Sequence, residues 1–234
     1  MSVPVQQVHC ADAREAEDLS AFLARLLHYD RAAVVRLQAG GPDGPLPRLA
    51  VFGRPPSFEV LAIRTARLGR PVRLDATVSA GELLDGIGGP DGIGAAEFTV
   101  PGPVTGPPWA GVLPPRGGWR DLPGLPDADR MRAEVGAAVA EFRARDEQLP
   151  EERRTRAERD RIGREIWSRG LGDTPLPLRA VHAAQSLGFL RPGVPAALLA
   201  SGPWLRLRTP FGSIALRETG LGALSVTPTR PHRH

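Results

Sequence analysis

The chain has 234 residues, 41% of them hydrophobic, and a formal net charge of +4 at pH 7. Its 30 Lys and Arg positions are all arginine, and asparagine does not occur either. The missing lysine excludes the P-loop, the kinase-type catalytic lysine and Schiff-base chemistry, because each of these needs a primary amine. Length and composition indicate a globular protein that can bury a core without disulfide or metal support.

Charge and cysteine content narrow the expected partners and location. Residues 1–122 contain 12 arginines and 13 acidic residues, whereas residues 123–234 contain 18 arginines and 13 acidic residues. An anion-binding surface is therefore expected in the second half. The single cysteine, Cys10, excludes an internal disulfide and a multi-cysteine metal site. No signal-peptide pattern and no run of ~20 apolar residues is found, which predicts a soluble, cytoplasmic protein without a membrane partner.

The first 100 residues predict a module of mixed helices and an antiparallel sheet. Asp12 and Glu15 have the spacing of a capping box, so a helix is expected to begin there and to end near residues 28–30. Strands at 32–37 and 48–52 flank a turn-rich segment and predict a hairpin. Further expected elements are an extended segment at 72–78, a short helix at 79–87 and a strand at 97–100, while residues 57–68 fit either a helix or a strand.

Residues 101–126 contain eight prolines and six glycines, together with Trp109 and Trp119. Regular structure is not expected there, because proline lacks an amide donor and glycine loses the most entropy on ordering. We interpret this segment as a strap or linker whose tryptophans fix it over the core. The alternative is a partner or ligand loop that uses Trp109, Arg116 and Trp119.

Residues 127–234 predict a helical region that ends in a β-hairpin. The whole chain is thus expected to have an α+β fold, with the Pro/Gly-rich strap between residues 1–100 and this region. An apolar stripe from Met131 to Phe142 marks the first helix of the region. Later expected elements are a charged helix at 151–169, a helix at 174–187, a short helix at 195–200, hairpin strands at 204–208 and 213–217, and a further strand at 224–227.

Motifs for catalysis and metal binding are incomplete. The glycine-rich segment 86–94 lacks the GxGxxG spacing. Residues 77–81 have threonine where the nucleophile elbow requires glycine, so Ser79 is interpreted as a helix cap. The five histidines form no metal-binding pattern within a predicted element. We therefore expect no metal and no cofactor, assign no catalytic residue, and favour a protein that is not an enzyme.

The segment 153–169 holds seven arginines and three acidic residues. Oppositely charged residues four positions apart in and around it are typical of a solvated helix whose charges pair with one another. Paired guanidinium groups are not free to bind phosphate, so this helix is not the expected anion site. The pairs are Glu152–Arg156, Arg154–Glu158, Asp160–Arg164 and Arg161–Glu165.

The C-terminal hairpin is the stronger anion-binding candidate. Because side chains alternate along a strand, Trp204, Arg206 and Arg208 are expected on one face, with leucines on the other. Arg217 joins them from the return strand. An aromatic ring beside several arginines can bind phosphate or a stacked base. The same alternation also fits an ordinary sheet with apolar residues inside and charges outside.

Three functions stay open from the sequence. The first is a non-catalytic binding or regulatory protein that contacts an unknown protein partner or a small anionic ligand. The second is a nucleic-acid-binding regulator, because the order of the C-terminal helices and hairpin resembles a winged helix. The third is an enzyme that holds an anionic substrate with arginine clamps, which requires a pocket where arginine and an acid of shifted pKa converge. We favour the first, because no catalytic constellation is recognisable.

Overall fold

A computed structural model describes residues 6–40, 47–88 and 96–217. Within these residues the chain forms helices and antiparallel strands, which confirms the expected α+β class and the β-hairpin at the end of the described chain. The helices are α1 (Ala13–Tyr29), α2 (Ala80–Gly88), α3 (Ala128–Glu147), α4 (Arg156–Trp167) and α5 (Leu178–Ser186). The strands are β1 (Gln6–His9), β2 (Val34–Ala39), β3 (Arg48–Gly53), β4 (Leu61–Arg67), β5 (Leu74–Ser79), β6 (Glu97–Val100), β7 (Arg120–Leu122), β8 (Ala197–Ser201), β9 (Trp204–Thr209) and β10 (Gly212–Arg217).

Eight strands form one antiparallel sheet in the order β5-β2-β3-β4-β10-β9-β8-β7. Two three-stranded meanders, β2 to β4 and β8 to β10, meet edge to edge where β4 pairs with β10. A helix precedes each meander, α1 in the first half and α5 in the second. The two halves of the chain therefore contribute matching parts to one sheet, while β1 and β6 form a separate two-stranded sheet.

Helix α1 forms where the sequence predicts it. The Asp12 side chain accepts a hydrogen bond from the Glu15 amide at 3.1 Å, which satisfies one of the free donors at the helix start. The apolar stripe of the helix faces the sheet. Its buried members are Ala16, Leu19, Phe22, Leu23 and Leu26.

The main hydrophobic core lies between the α-helices and one face of the eight-stranded sheet. We call this face the helix face. Val51 of β3 and Leu207 of β9 are fully buried in this core. Phe22 of α1 stacks on Phe189, with the ring centroids 5.6 Å apart. Because Phe189 follows α5, this contact joins the two halves of the chain within one apolar cluster.

The opposite side of the sheet, which we call the strap face, carries a smaller apolar cluster made by Phe52, Ile63 and Ala215. Of the expected strap at 101–126, residues 101–119 lie over this face, and from here on the name strap refers to residues 101–119 only. Trp109 of the strap packs against the cluster and is half-buried. The strap thus covers apolar sheet surface that the helices leave open.

Hydrogen bonds fix the strap to the sheet and close its last turn. The Val104 amide donates to the Thr77 carbonyl at 2.8 Å, at the sheet edge. The Trp119 indole Nε1 donates to the Pro115 carbonyl at 3.0 Å. Gly118 within this turn has φ +73°, a conformation that glycine adopts without steric cost. Apart from a short 3₁₀ turn at Pro108–Gly111, these contacts hold a segment that forms neither an α-helix nor a strand.

Helices α4 and α5 both begin later than the sequence patterns predict. Thr155 caps α4 by accepting a hydrogen bond from the Glu158 amide at 3.3 Å, and only a short 3₁₀ turn forms at Glu151–Arg153. The Thr174 hydroxyl donates to the Leu171 carbonyl at 2.7 Å and closes a turn instead of a helix. In each case a threonine hydrogen bond sets the local backbone.

Two further expectations are wrong. Residues 197–201 form strand β8 rather than a helix. A short apolar run fits either structure, and here hydrogen bonding to β9 on one side and β7 on the other makes it a strand. Residues 120–122 form strand β7 inside the segment where no regular structure was expected. The undecided segment 57–68 contains strand β4, preceded by a turn. The expected strand at 224–227 lies outside the described residues.

Candidate functional site

A cavity of about 640 Å³ lies between the strap face and the strap. Its floor consists of side chains that β2, β3 and β4 direct away from the helices, among them the paired neighbours Phe52 and Ile63. The strap closes one wall with Pro114, Pro115 and Arg116. Further lining residues are Gln38, Ala39, Gly40, Pro47, Arg48, Ala50, Thr65, Leu68, Pro71, Val72 and Arg206. We refer to this space as the strap cavity.

The strap cavity is lined by three arginines, Arg48, Arg116 and Arg206, and by no aspartate, glutamate or histidine among the described residues. The remaining polar lining groups are the neutral side chains of Gln38 and Thr65. A mostly apolar cavity with an excess of fixed positive charge attracts anions, because guanidinium groups stay protonated in proteins. The electrostatics of the site therefore favour a negatively charged ligand.

Arg206 is the most deeply placed of these arginines. Its Nε atom is buried and has no hydrogen-bond partner among the described residues. Burial, followed by the positive charge of Arg208, lowers the pKa of the Arg206 guanidinium below its usual value. The Trp119 ring lies beside it, with its centroid 5.6 Å from the Arg206 Cζ. This guanidinium is thus partly desolvated, and no carboxylate of the described residues compensates its charge.

The register of β9 explains why Arg206 lies in the cavity. Leu205 and Leu207 enter the main core, so the side chain between them must point to the strap face. Its cross-strand neighbours are Ala215 on β10 and Leu199 on β8. Neither neighbour carries a polar side chain that could pair with the guanidinium, and the small alanine leaves room beside it.

The hairpin residues singled out from the sequence lie on the same face but do not form one site. Trp204 is half-buried and packs against the apolar cluster of the strap face. Arg208 is exposed and lies opposite Ser213, and Arg217 is exposed and lies opposite Trp204. Neither Arg208 nor Arg217 lines the strap cavity. Only Arg206 of this group is brought into the candidate site.

The three loop candidates of the strap, Trp109, Arg116 and Trp119, do not form one site either. Arg116 is exposed and lines the strap cavity, whereas half-buried Trp119 lies beside Arg206 and holds the strap turn. Trp109 lines a second, smaller cavity of about 460 Å³, which also contains Asp30 and Arg54. The Asp30 carboxylate there already accepts a hydrogen bond from the Ala32 amide at 2.9 Å.

The sequence pattern gave no reason to place Arg48, Phe52 or Ile63 in a site. These residues come from strands far from β9 in sequence, and pairing of β4 with β10 brings them to the same sheet. One sequence signal was available: residues 98–120 contain no aspartate or glutamate. A covering segment without acids cannot neutralise arginines beneath it.

Several arginines of α3 and α4 form ion pairs with acidic residues, some within one helix and some between the two. Arg145 donates to both carboxylate oxygens of Glu165 at 2.8 Å, and these bonds lower the pKa of Glu165 to about 2. Arg169 pairs with Glu141 at 2.6 Å. Of the four pairs expected from spacing, Arg161–Glu165 forms an ion pair, at 3.9 Å. The late start of α4 places residues 152 and 154 outside the helix.

His182 makes a packing contact, and Ser79 makes a helix-capping contact. His182 stacks on Trp167 with ring centroids 4.4 Å apart, and burial lowers the pKa of its imidazole. The Ser79 hydroxyl accepts a hydrogen bond from the Glu82 amide at 3.3 Å at the start of α2, the geometry of a cap. Among the described residues no three His, Cys, Asp or Glu side chains come together to hold a metal ion.

Two family models match the chain, one for each half. Residues 3–111 match a family described as Domain of unknown function (DUF8010), and residues 114–221 match one described as Domain of unknown function (DUF8185). The comparisons with curated proteins and with solved structures found no match. The matched regions meet within the strap, so the floor of the cavity belongs to the first region and Arg116 and Arg206 to the second.

None of the helices among the described residues combines the length and the apolar character that crossing a membrane requires.

Proposed function

We propose that the protein is a non-catalytic binding protein that takes a small anionic ligand with an apolar part into the strap cavity. The observation that carries this proposal is Arg206, whose guanidinium is partly buried and has no acidic partner among the described residues. Burial without a counterion costs free energy, because the charge loses water and gains no partner. A carboxylate or phosphate would supply charge-assisted hydrogen bonds, which are about twice as strong as neutral ones.

The size and lining of the cavity support a small molecule as the ligand. A volume of about 640 Å³ falls within the range of roughly 300–1,000 Å³ that is usual for small-molecule sites. Such sites have mostly apolar walls and a few polar groups that fix orientation. Phe52 and Ile63 supply an apolar floor, and the arginines supply the orienting charges.

The two other functions receive less support. An enzyme with arginine clamps requires an acid of shifted pKa beside the arginines, and no acid lines the described part of the strap cavity. The winged-helix argument for nucleic-acid binding relied on a helix at 195–200, where the chain forms a strand, and on a hairpin that lies within the sheet. Arg208 and Arg217 are the exposed residues through which a nucleic acid would be bound.

A cytoplasmic location belongs to the same proposal. It is supported by the cysteine content, because a single cysteine without a disulfide is usual in reducing compartments. Fractionation of cells that produce the native chain tests the location. Recovery of the protein in the secreted or membrane fraction would contradict it.

Binding of matched single-chain amphiphiles tests the proposed function. Octanoate, octyl phosphate and neutral 1-octanol are titrated against the purified chain by calorimetry, with thermal unfolding as a second readout. We expect the anions to bind and raise the melting temperature, and octanol to bind more weakly, because only the anions pair with Arg206. Absence of binding by both anions would overturn the proposal.

Two neighbouring arginines of β9 provide the variant and its control. Arg206→Gln should weaken binding of the anions by about tenfold to a hundredfold, the range expected for loss of a hydrogen bond to a charged group. Arg208→Gln removes the same charge from the same strand and the same face, but outside the cavity. Equal losses in the two variants would indicate binding to the exposed hairpin surface instead of the strap cavity.

A further inference from the structure

We infer that the strap cavity selects a phosphate monoester that carries an apolar group, and that Arg116 of the strap is a specificity-determining residue. This inference rests on the proposed function and names the class of ligand for the same site. The strap and the sheet present arginines from different walls of one cavity, so the ligand is expected to carry charge and acceptor oxygens in more than one direction.

The charge of the lining favours a dianion over a monoanion. Arg48, Arg116 and Arg206 each carry one positive charge, and the described lining residues carry no negative charge. A carboxylate offers one negative charge and two oxygens, which a single guanidinium already satisfies in a bidentate pair. A phosphate monoester has a charge of about −1.5 to −2 at pH 7 and three strong acceptor oxygens. It can therefore engage two guanidinium groups at once.

The structure couples Arg116 to Arg206 through Trp119. The Trp119 ring lies beside the Arg206 guanidinium, and its indole nitrogen donates to the Pro115 carbonyl at the residue before Arg116. The Ser201 hydroxyl also donates to the Gly117 carbonyl at 3.4 Å, which holds the same turn against β8. The turn that carries Arg116 is thus fixed by contacts on both sides of the residue, beside the arginine of the sheet.

The apolar group of the ligand is inferred from the floor. Phe52 and Ile63 are part of it, and Pro114 of the strap is buried above the sheet. An alkyl or aryl group placed there would cover apolar surface, which contributes about 25 cal/mol for each Å² removed from water. Inorganic phosphate alone lacks this contribution.

A ligand series with one constant chain separates charge from shape. Octyl phosphate, octyl sulfate and octanoate are titrated against the full chain at pH 7.5, with inorganic phosphate and phenyl phosphate as further arms. Sulfate and phosphate monoesters have similar shape and oxygen number, but the sulfate carries a single charge. We expect octyl phosphate to bind at least about tenfold more tightly than octyl sulfate or octanoate, since it gains a second charge-assisted contact. The phenyl arm distinguishes an aromatic ligand from an alkyl one.

Arg116→Gln should abolish the preference for octyl phosphate while octanoate binding stays within about twofold, because Arg206 alone can pair with a carboxylate. Arg120→Gln is the control, since Arg120 is exposed at the start of β7 and does not line the cavity. Equal affinity for phosphate, sulfate and carboxylate, or an unchanged preference in Arg116→Gln, would overturn the inference and leave the proposed function standing. Inorganic phosphate binding as tightly as octyl phosphate would overturn the apolar part.

Discussion

Arg64 and Arg206 lie on opposite faces of the eight-stranded sheet and differ in their partners. On the helix face, Arg64 of β4 is 7% exposed, and its guanidinium donates to Asp18 of α1 at 2.8 Å and to the Phe211 carbonyl at 2.6 Å. On the strap face, Arg206 of β9 has no acidic partner among the described residues. Arg64 is thus neutralised within the core, whereas Arg206 is the arginine that we propose pairs with the anion.

The covering segments explain this difference. Helix α1 carries acidic residues on the turns that face the sheet, so it brings Glu15 and Asp18 to the arginine below. The strap carries no acid at all. It covers the sheet with prolines, glycines and two tryptophans, which exclude water without neutralising charge. Under the proposed function, this part of the strap face can bind an anion because the strap supplies no counterion.

The largest expected effect is a loss of packing on the helix face. Leu207→Ala should lower the free energy of unfolding by about 3 kcal/mol, because it empties part of a fully buried site in the main core. Urea unfolding followed by circular dichroism measures the change. A loss below about 1 kcal/mol would show that the helix face is not tightly packed around β9.

The next largest effect is expected for the paired arginine. Arg64→Met should lower the free energy of unfolding by about 2 kcal/mol, because the Phe211 carbonyl and the Asp18 carboxylate lose their donor. Methionine keeps the unbranched stem and a similar volume, so lost packing contributes little. The same urea titration applies, and an unchanged midpoint would remove the contrast between the two faces.

The unpaired arginine should behave differently under the same substitution. Arg206→Met is expected to leave the free energy of unfolding unchanged or to raise it by up to about 1 kcal/mol, because it removes a partly buried charge that has no acidic partner among the described residues. The measurement is made without ligand, next to Arg64→Met. A loss as large as that of Arg64→Met would mean that Arg206 has a structural role and that the comparison fails.

The smallest effect concerns the exposed pairs of α3 and α4. The pKa of Glu165 is about 2 in the folded chain, below its ordinary value of 4.5, because Arg145 donates to both carboxylate oxygens. Its contribution to stability is therefore complete above pH 4.5 and is lost as the pH falls toward 2. Glu165→Gln should make stability decline less steeply over this interval. Thermal unfolding between pH 5 and 2.5 measures it, and parallel curves would contradict the assignment.

Local signals in the sequence were sufficient to predict several helices and strands. The Asp12 cap and the apolar stripe define α1, and the two strands around a turn-rich segment form the pair of β2 and β3. The alternation in β9 places Arg206 and Arg208 on one face and the leucines on the other. Each of these features depends on residues close together in the chain, which a pattern can report.

Other features depend on contacts that no local pattern contains. The apolar run at 197–201 has no clear period, and its neighbours β7 and β9 make it a strand. The sequence offers Arg206, Arg208 and Arg217 as equivalent candidates, but of these three Arg206 alone lines the strap cavity. The floor of the cavity comes from strands of the first half, so only the pairing of β4 with β10 reveals it.

The seam between β4 and β10 has a consequence for how this architecture can be inherited. It is formed by three residue pairs, from Ser213↔Ile63 to Ala215↔Leu61, and the cavity takes its walls from both sides of it. A protein that contained one half alone, or one half joined to an unrelated domain, would lack the strap cavity and its set of arginines. The two halves must be kept as a pair for the site to persist.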